Sequence, residues 1–119
     1  MKLCDIAKEL NLENLTLELD LSGAPEISRA YVSDLLSDVM GNAPAGGILV
    51  TVQVHLNVVA VAVHADLAAV IFALDRKPDE ITRQRAVQEN IILLASREPA
   101  FDIAGKLYAL GMRGDTSCD

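Results

Sequence analysis

The sequence predicts an α/β fold, a layered sandwich with a mixed, largely parallel sheet flanked by helices. Three observations carry that reading. Apolar runs of strand length recur at Ile48 to Val54, Ala68 to Leu74 and Ile91 to Ala95. Apart from Thr51 and Gln53 they carry no polar residue, which is the pattern of strands buried on both faces. The segments between them, Val58 to Ala65 and Asp79 to Asn90, can serve as the crossovers that parallel strands require.

In chain order, Leu3, Ile6, Ala7 and Leu10 fall on one helical face, with Lys2, Asp5, Lys8 and Glu9 opposite or flanking, and Asn11 ends the helix. Leu15, Leu17 and Leu19 alternate with Thr16, Glu18 and Asp20, which predicts a half-exposed strand. Ser22 to Pro25 reads as a turn, Ile27 to Val32 as a second short strand, and Ser33-Asp34 as the cap of a helix from Leu35 to Met40. Gly41 to Gly47 is a loop. The strand from Ile48 ends in a polar corner, His55-Leu56-Asn57.

Val58 to Ala65 reads two ways. Its valines favour a strand. The need for a crossover, an N-capping Asn57, and Ala60, Ala62 and Ala65 favour a helix packed closely on a sheet, and helix is the reading taken. After the strand at Ala68 to Leu74 comes a polar loop, Asp75-Arg76-Lys77-Pro78. Asp79 to Asn90 then predicts an exposed helix with a thin apolar stripe of Ile81, Ala86 and Val87. Ile91 to Ala95 predicts a central or near-central strand. Ser96 to Pro99 turns the corner into a helix from Phe101 to Leu110, with Ile103, Leu107 and Leu110 inward and Gly111 closing it. The expected organisation is one domain, residues 1–111, and a frayed tail, residues 112–119.

The 119 residues suit one domain, and 51% of them are hydrophobic, enough for a core without metals or disulfides. With two Tyr, two Phe and no Trp, that core must be aliphatic. The net charge of −7 argues against nucleic acid and against an anionic membrane surface, both of which call for basic patches. No apolar run reaches the roughly 18 residues of a membrane span, and no signal peptide is visible, so the cytoplasm is the expected location. Cys4 and Cys118 have no metal or disulfide spacing, and Cys4 is expected to be a buried thiol.

In an open parallel sheet, ligands bind beyond the carboxyl ends of the strands. Three corners end there: Gln53, His55 and Asn57; Asp75, Arg76 and Lys77; Ser96 and Arg97. Helix N-termini at Asn57, Asp79 and Pro99 face the same edge with free backbone N–H groups. The candidate ligand-binding residues are therefore Gln53, His55, Asn57, Asp75, Arg76 and Arg97, and the chemistry they suit is a small anion such as a phosphate. Each also has a plainer reading as a solvated corner residue.

No other pattern builds a reaction centre. His55 has no nucleophile or carboxylate at a useful local spacing, and His64, in an apolar segment, reads as packing. Asp34 and Asp38 could hold Mg²⁺ with a phosphate, but serve equally as capping and solubility charges, the reading preferred. Gly46-Gly47 precedes a strand and lacks Gly-Lys-Ser/Thr, so it is no phosphate loop. The opening helix resembles the start of a helix-turn-helix, but the alternation after it and the acidity argue otherwise. The sequence thus leads one to expect no catalytic residue, no metal and no cofactor.

Three stretches together, Tyr31 to Met40, Ile48 to Ala62 and Asp75 to Glu80, resemble the stand-alone DRTGG-domain proteins, over about Met1 to Gly111. The opening helix and Phe101 to Tyr108 also suit that group. Larger relatives carry the domain in phosphotransacetylases and in pyrophosphatases with CBS domains, and the N-terminal domains of HPr kinase/phosphorylase and of Mur ligases are similar in fold. The resemblance implies an α/β sandwich, an accessory or regulatory role rather than a catalytic one, and self-association. The Asp-Arg-Thr-Gly-Gly motif itself is absent. Its expected corner reads Gln53-Val54-His55-Leu56-Asn57, where only Asn57 and the helix N-terminus keep a similar physical role. The kinase domain and its phosphate loop are also lacking.

The function expected is a non-catalytic regulatory or ligand-binding module sensing an adenine nucleotide or other phosphorylated metabolite at the carboxyl edge. The alternative is a structural homodimer that docks to a partner enzyme in energy or redox metabolism and takes no small ligand. A mean hydropathy of +0.30 leans toward self-association in either case.

Overall fold

The computed structural model describes residues 1–114. Five helices and five strands follow in chain order: α1 Leu3–Glu9, β1 Glu13–Asn14, β2 Ala30–Val32, α2 Leu36–Asn42, β3 Ile48–Thr51, α3 Asn57–His64, β4 Ala69–Phe72, α4 Glu80–Gln88, β5 Ile92–Ala95 and α5 Ala100–Ala109. The strands form one sheet in the order β1-β5-β4-β3-β2. β2 to β5 are parallel and β1 runs antiparallel to β5. The sheet is mixed and largely parallel, as the sequence predicts, and β5 lies between β1 and β4.

The apolar runs split by the two-residue period of a strand. Ile48, Val50, Ala69, Ile71, Ile92 and Leu94 face a core closed by Leu3 and Ile6 of α1 and by Ile103 and Leu107 of α5. Leu49, Val70, Phe72 and Leu93 face a second core closed by Val39 of α2, Val58, Val59 and Ala62 of α3, and Ala86 of α4. Covering both faces explains why no polar residue interrupts these strands until Thr51.

Val58 to Ala65 is helical. β3 and β4 pair in parallel from Ile48 opposite Ala69 to Thr51 opposite Phe72, so the chain must recross the sheet between them, and valine's strand preference yields to that requirement.

Several expectations are corrected. The alternating run from Leu15 is not a strand; pairing stops after Asn14, with one more ladder bond from the Leu15 N–H to the Leu93 carbonyl. Asn14 Oδ1 accepts the Thr16 N–H at 3.0 Å, turning the chain, and the buried Thr16 Oγ1 accepts the Leu93 N–H at 3.2 Å. The strand expected from Ile27 begins only at Ala30, because the Ile27 N–H donates to the Met1 carbonyl. Ile81 is 71% exposed, and the buried stripe of α4 is Thr82 and Ala86. Ile81 and Ala86 are five residues apart, about 140° around a helix, and cannot share a face.

Cys4 is half-buried rather than buried, and Cys118 lies outside the described residues. His64 is exposed at the end of α3, not packed. The boundary expected at Gly111 also shifts. Met112 is only 3% exposed in the α1–α5 core, and Arg113 donates its N–H to the Ser28 carbonyl and accepts the Ala30 N–H. The rest of the expected tail, residues 115–119, lies outside the described residues.

Two substitutions test this packing. Phe72→Ala should cost about 3–5 kcal/mol, since the ring is fully buried between the sheet and its helices. Thr16→Val should cost about 1–3 kcal/mol by stranding the buried Leu93 N–H. Urea unfolding reads both as lower midpoints at unchanged slope.

Candidate functional site at the carboxyl edge of the sheet

The four parallel strands end at Val32, Thr51, Phe72 and Ala95 along one edge, and α3, α4 and α5 start from it. The corner after β3 is fastened from the β2 side. Asp34 Oδ1 accepts the Thr51 hydroxyl at 2.9 Å and the Val52 N–H at 2.8 Å. Asp34 is therefore not a cap of α2; Ser33 Oγ takes the Leu35 N–H instead, at 3.2 Å. Asp38 accepts the Tyr31 hydroxyl at 2.8 Å, so the two carboxylates serve different partners.

Within the same corner, Gln53 Oε1 accepts the His55 N–H at 3.2 Å and His55 Nδ1 accepts the Asn57 N–H at 3.1 Å. The His55 carbonyl takes the Val58 N–H at 2.9 Å. The expected capping role of Asn57 thus falls to His55: Leu56, at the cap position, is already helical and Asn57 is the first residue of α3.

The corner after β4 is strained. Leu74 and Asp75 both have left-handed backbones, with φ of 58° and 54°. Asn11, Asp66 and Asn90 share that conformation just beyond helices, where Asn and Asp commonly close the last turn. Leu74 has neither their side chain nor a helix to close. Two bonds to the β5 corner hold it: the Leu74 N–H to the Glu98 carbonyl at 2.9 Å and the Asp75 N–H to the Ser96 carbonyl at 2.6 Å. Strain of this kind concentrates at functional corners.

These bonds draw the β4 and β5 corners together beside the end of α1. They enclose a cleft of about 560 Å³ whose charged lining is Glu9, Glu13, Asp75 and Glu98 against Arg97 and Lys106. Lys106 pairs with Glu98 at 2.7 Å. Lys77, counted in the sequence as part of a basic loop, pairs with Glu13 at 2.9 Å and Asp75 at 3.6 Å; the Glu13 contact, with the charge of Asp75, raises its pKa. Arg76 and Arg97 are exposed and make no ion pair among the described residues.

The six candidate residues therefore share an edge but not one pocket. Asp75 and Arg97 line the cleft and Arg76 stands on the adjoining loop. Gln53, His55 and Asn57 belong to the β3 corner. At the start of α4, hydrogen bonds from the Thr82 backbone and side chain hold the Asp79 carboxyl below its ordinary range. At the start of α5, Pro99 occupies the cap position with no side-chain cap, and Phe101 in the first turn is 86% exposed. Phe101 escaped the sequence reading, although it lies about 200° around the helix from Ile103 and so off the inward stripe.

The comparisons with known proteins bear on the fold. No protein-family model and no curated protein matches the chain. Among solved structures it is similar to the CBS and DRTGG domains of the regulatory region of Clostridium perfringens pyrophosphatase, complexed with the activator diadenosine tetraphosphate. The TM-score is 0.72 at 14% identity, over 97% of this chain and 51% of that one. This chain thus spans about half the length of the solved chain, and the likeness is one of fold. No helix among the described residues is long and apolar enough to cross a membrane.

Two measurements probe the corners. Leu74→Gly should raise stability by up to about 1 kcal/mol, because glycine adopts positive φ freely, whereas Leu74→Val should lower it. Hydrogen bonds from Tyr31 first, then Ser33, hold Asp38 below its ordinary 3.8. A depressed carboxylate contributes stability that is present above the ordinary value and lost as pH falls through the lower folded one. Tyr31→Phe should therefore narrow the gap in Tm between about pH 6 and pH 3.

Proposed function

We propose that this chain is a non-catalytic regulatory module whose carboxyl edge takes an adenine nucleotide or another phosphorylated metabolite. The observation that carries this reading is that Arg76 on the β4 corner and Arg97 on the β5 corner are unpaired among the described residues, on two corners that the Leu74 and Asp75 bonds join ahead of the uncapped start of α5. Two guanidiniums and free helix N–H groups are what a phosphate chain requires. The acidic lining of the cleft does not suit a bare anion, but Asp75 suits a ribose hydroxyl, and Phe101 offers an exposed ring face to a purine. Gln53, His55 and Asn57 extend the polar edge toward the second end of a long ligand. The fold-level neighbour supports a DRTGG-type regulatory domain, and its activator, diadenosine tetraphosphate, supports the ligand class.

A second reading is a structural homodimer that docks to a partner enzyme in energy or redox metabolism and takes no small ligand. The exposed Phe101 and Leu74, beside an acidic cleft, favour it to the extent that such an edge also fits a protein surface.

A thermal-melt screen against ATP, ADP, AMP, diadenosine tetraphosphate and inorganic phosphate, with and without Mg²⁺, separates the two. A ligand at about 100 times its Kd adds roughly 2.7 kcal/mol, several degrees of Tm for a domain of this size. The shift should appear with a nucleotide and weaken strongly in Arg76→Ala and Arg97→Ala, whose own Tm stays near that of the parent. A flat screen, or a shift indifferent to both arginines, sinks the edge site and leaves the docking reading.

A further inference from the structure

β2 is an outer strand of the sheet. Toward β3, the Ile48 N–H donates to the Arg29 carbonyl and the Ser33 N–H to the Val50 carbonyl. Ala30 and Val32, one residue out of step, therefore turn their backbone groups away from the sheet. The chain returns to this side after α5. The Arg113 N–H donates to the Ser28 carbonyl at 3.1 Å, and the Arg113 carbonyl accepts the Ala30 N–H at 3.0 Å, a parallel bridge between Arg113 and Arg29. The bridge goes no further among the described residues. The Ala30 carbonyl and both backbone groups of Val32 take no partner there, and Val32 is 48% exposed. An outer strand of this kind is a template for one more strand.

Beside it, Ala30, Val32, Ala104, Leu107, Tyr108 and Met112 line a groove of about 150 Å³, room for one aliphatic side chain. Charge marks the same side. Arg29 and Arg113 are bridge partners of like sign, which repel. Neither makes an ion pair among the described residues. Arg29 bonds the Ser28 carbonyl, and the Arg113 guanidinium lies 3.6 Å over the Tyr108 ring and bonds the Tyr108 and Met112 carbonyls. Two cations without acids, in a chain of net charge −7, call for an acidic occupant.

We propose that the free side of β2 takes an extended segment of a partner protein as an added strand, one that alternates acidic and aliphatic residues. In the register that Arg113 begins, one partner residue gives its N–H to the Ala30 carbonyl and accepts the Val32 N–H on its own carbonyl. Arg29 and Tyr31 share one face of β2, and Ala30 and Val32 the other. An acid on the first face meets Arg29, and the aliphatic side chain that follows enters the groove. The chain's own continuation, Asp115-Thr116-Ser117-Cys118-Asp119, has acids but no aliphatic residue for that groove, which therefore calls for a partner. This surface lies beyond β3 from the corners that hold Arg76 and Arg97, and the inference does not rest on the ligand reading.

Amide exchange of the full, isotopically labelled chain reads the Val32 N–H directly. Alone, that amide should exchange as an exposed one. A synthetic peptide alternating Glu and Val should slow it by about tenfold or more, and one alternating Lys and Val should bind about tenfold more weakly. Val32→Pro removes an N–H that has no partner among the described residues, so circular dichroism should stay unchanged while binding, read by anisotropy of the labelled peptide, is lost. Arg29→Glu should weaken binding, and Arg76→Ala should leave it intact. Protection of Val32 in the chain alone would give this side to the chain's own continuation or to a second copy and overturn the proposal. So would a Glu-Val peptide that fails to bind, or binding indifferent to Val32→Pro and Arg29→Glu. Should Val32→Pro misfold, exchange at Val32 and the Arg29→Glu variant decide.

Discussion

The parallel pairing of β3, β4 and β5 is the constraint on which the rest of the molecule depends. Because these strands run one way, every link between them must recross the sheet, and α3 and α4 are those links. Helices on both faces leave the strands no solvent side, so Ile48 to Val50, Ala69 to Phe72 and Ile92 to Ala95 carry no polar residue. The same pairing sends the carboxyl ends of β2 to β5, and the starts of α3, α4 and α5, to one edge. The core and the candidate site are two results of a single choice of strand direction.

That dependence explains what was legible in the sequence. Strands buried on both faces announce themselves by composition, and helices between them follow from topology even where propensity disagrees, as at Val58 to Val63. What stayed hidden depends on partners distant along the chain. Nothing near Leu15 signals that Thr16 will supply an acceptor to Leu93, 77 residues away. Nothing in Asp75-Arg76-Lys77 says that Lys77 will be engaged by Glu13 while Arg76 stays free of ion pairs among the described residues. Strand counting puts the six candidate residues on one edge, but their division between two corners follows from the Leu74 and Asp75 bonds to the β5 corner, which no local pattern encodes. The phase of α4 is hidden from the sequence for a related reason. Ile81 is the most apolar residue of its turn, yet the Asp79 cap and the Arg83 contacts to Glu80 and Glu18 turn Thr82 and Ala86 inward.

Electrostatics give the edge its character. A chain of net charge −7 has few cations to spare, and most of those near the carboxyl edge are engaged: Lys77 with Glu13 and Asp75, Lys106 with Glu98, Arg83 with Glu80 and Glu18. Exposed pairs of this kind contribute little to stability, but they neutralise acids that would otherwise repel an anionic ligand. Arg76 and Arg97 matter because they stand outside that balance.

The edge and the outer face of α3 meet at one place. The β3 corner starts α3 through His55, and Asn57, the first residue of that helix, also lines the grooves between α3 and its neighbours α2 and α4. The Asp34 bonds to Thr51 and Val52 fix the direction in which the corner leaves the sheet, and so the angle at which α3 sets out across it. Arg76 and Arg97 lie on the next two corners, beyond α3, so removing them leaves the α3 surface untouched. A single helix, its start fixed by the β3 corner, thus joins the carboxyl edge to the outer face of the sheet.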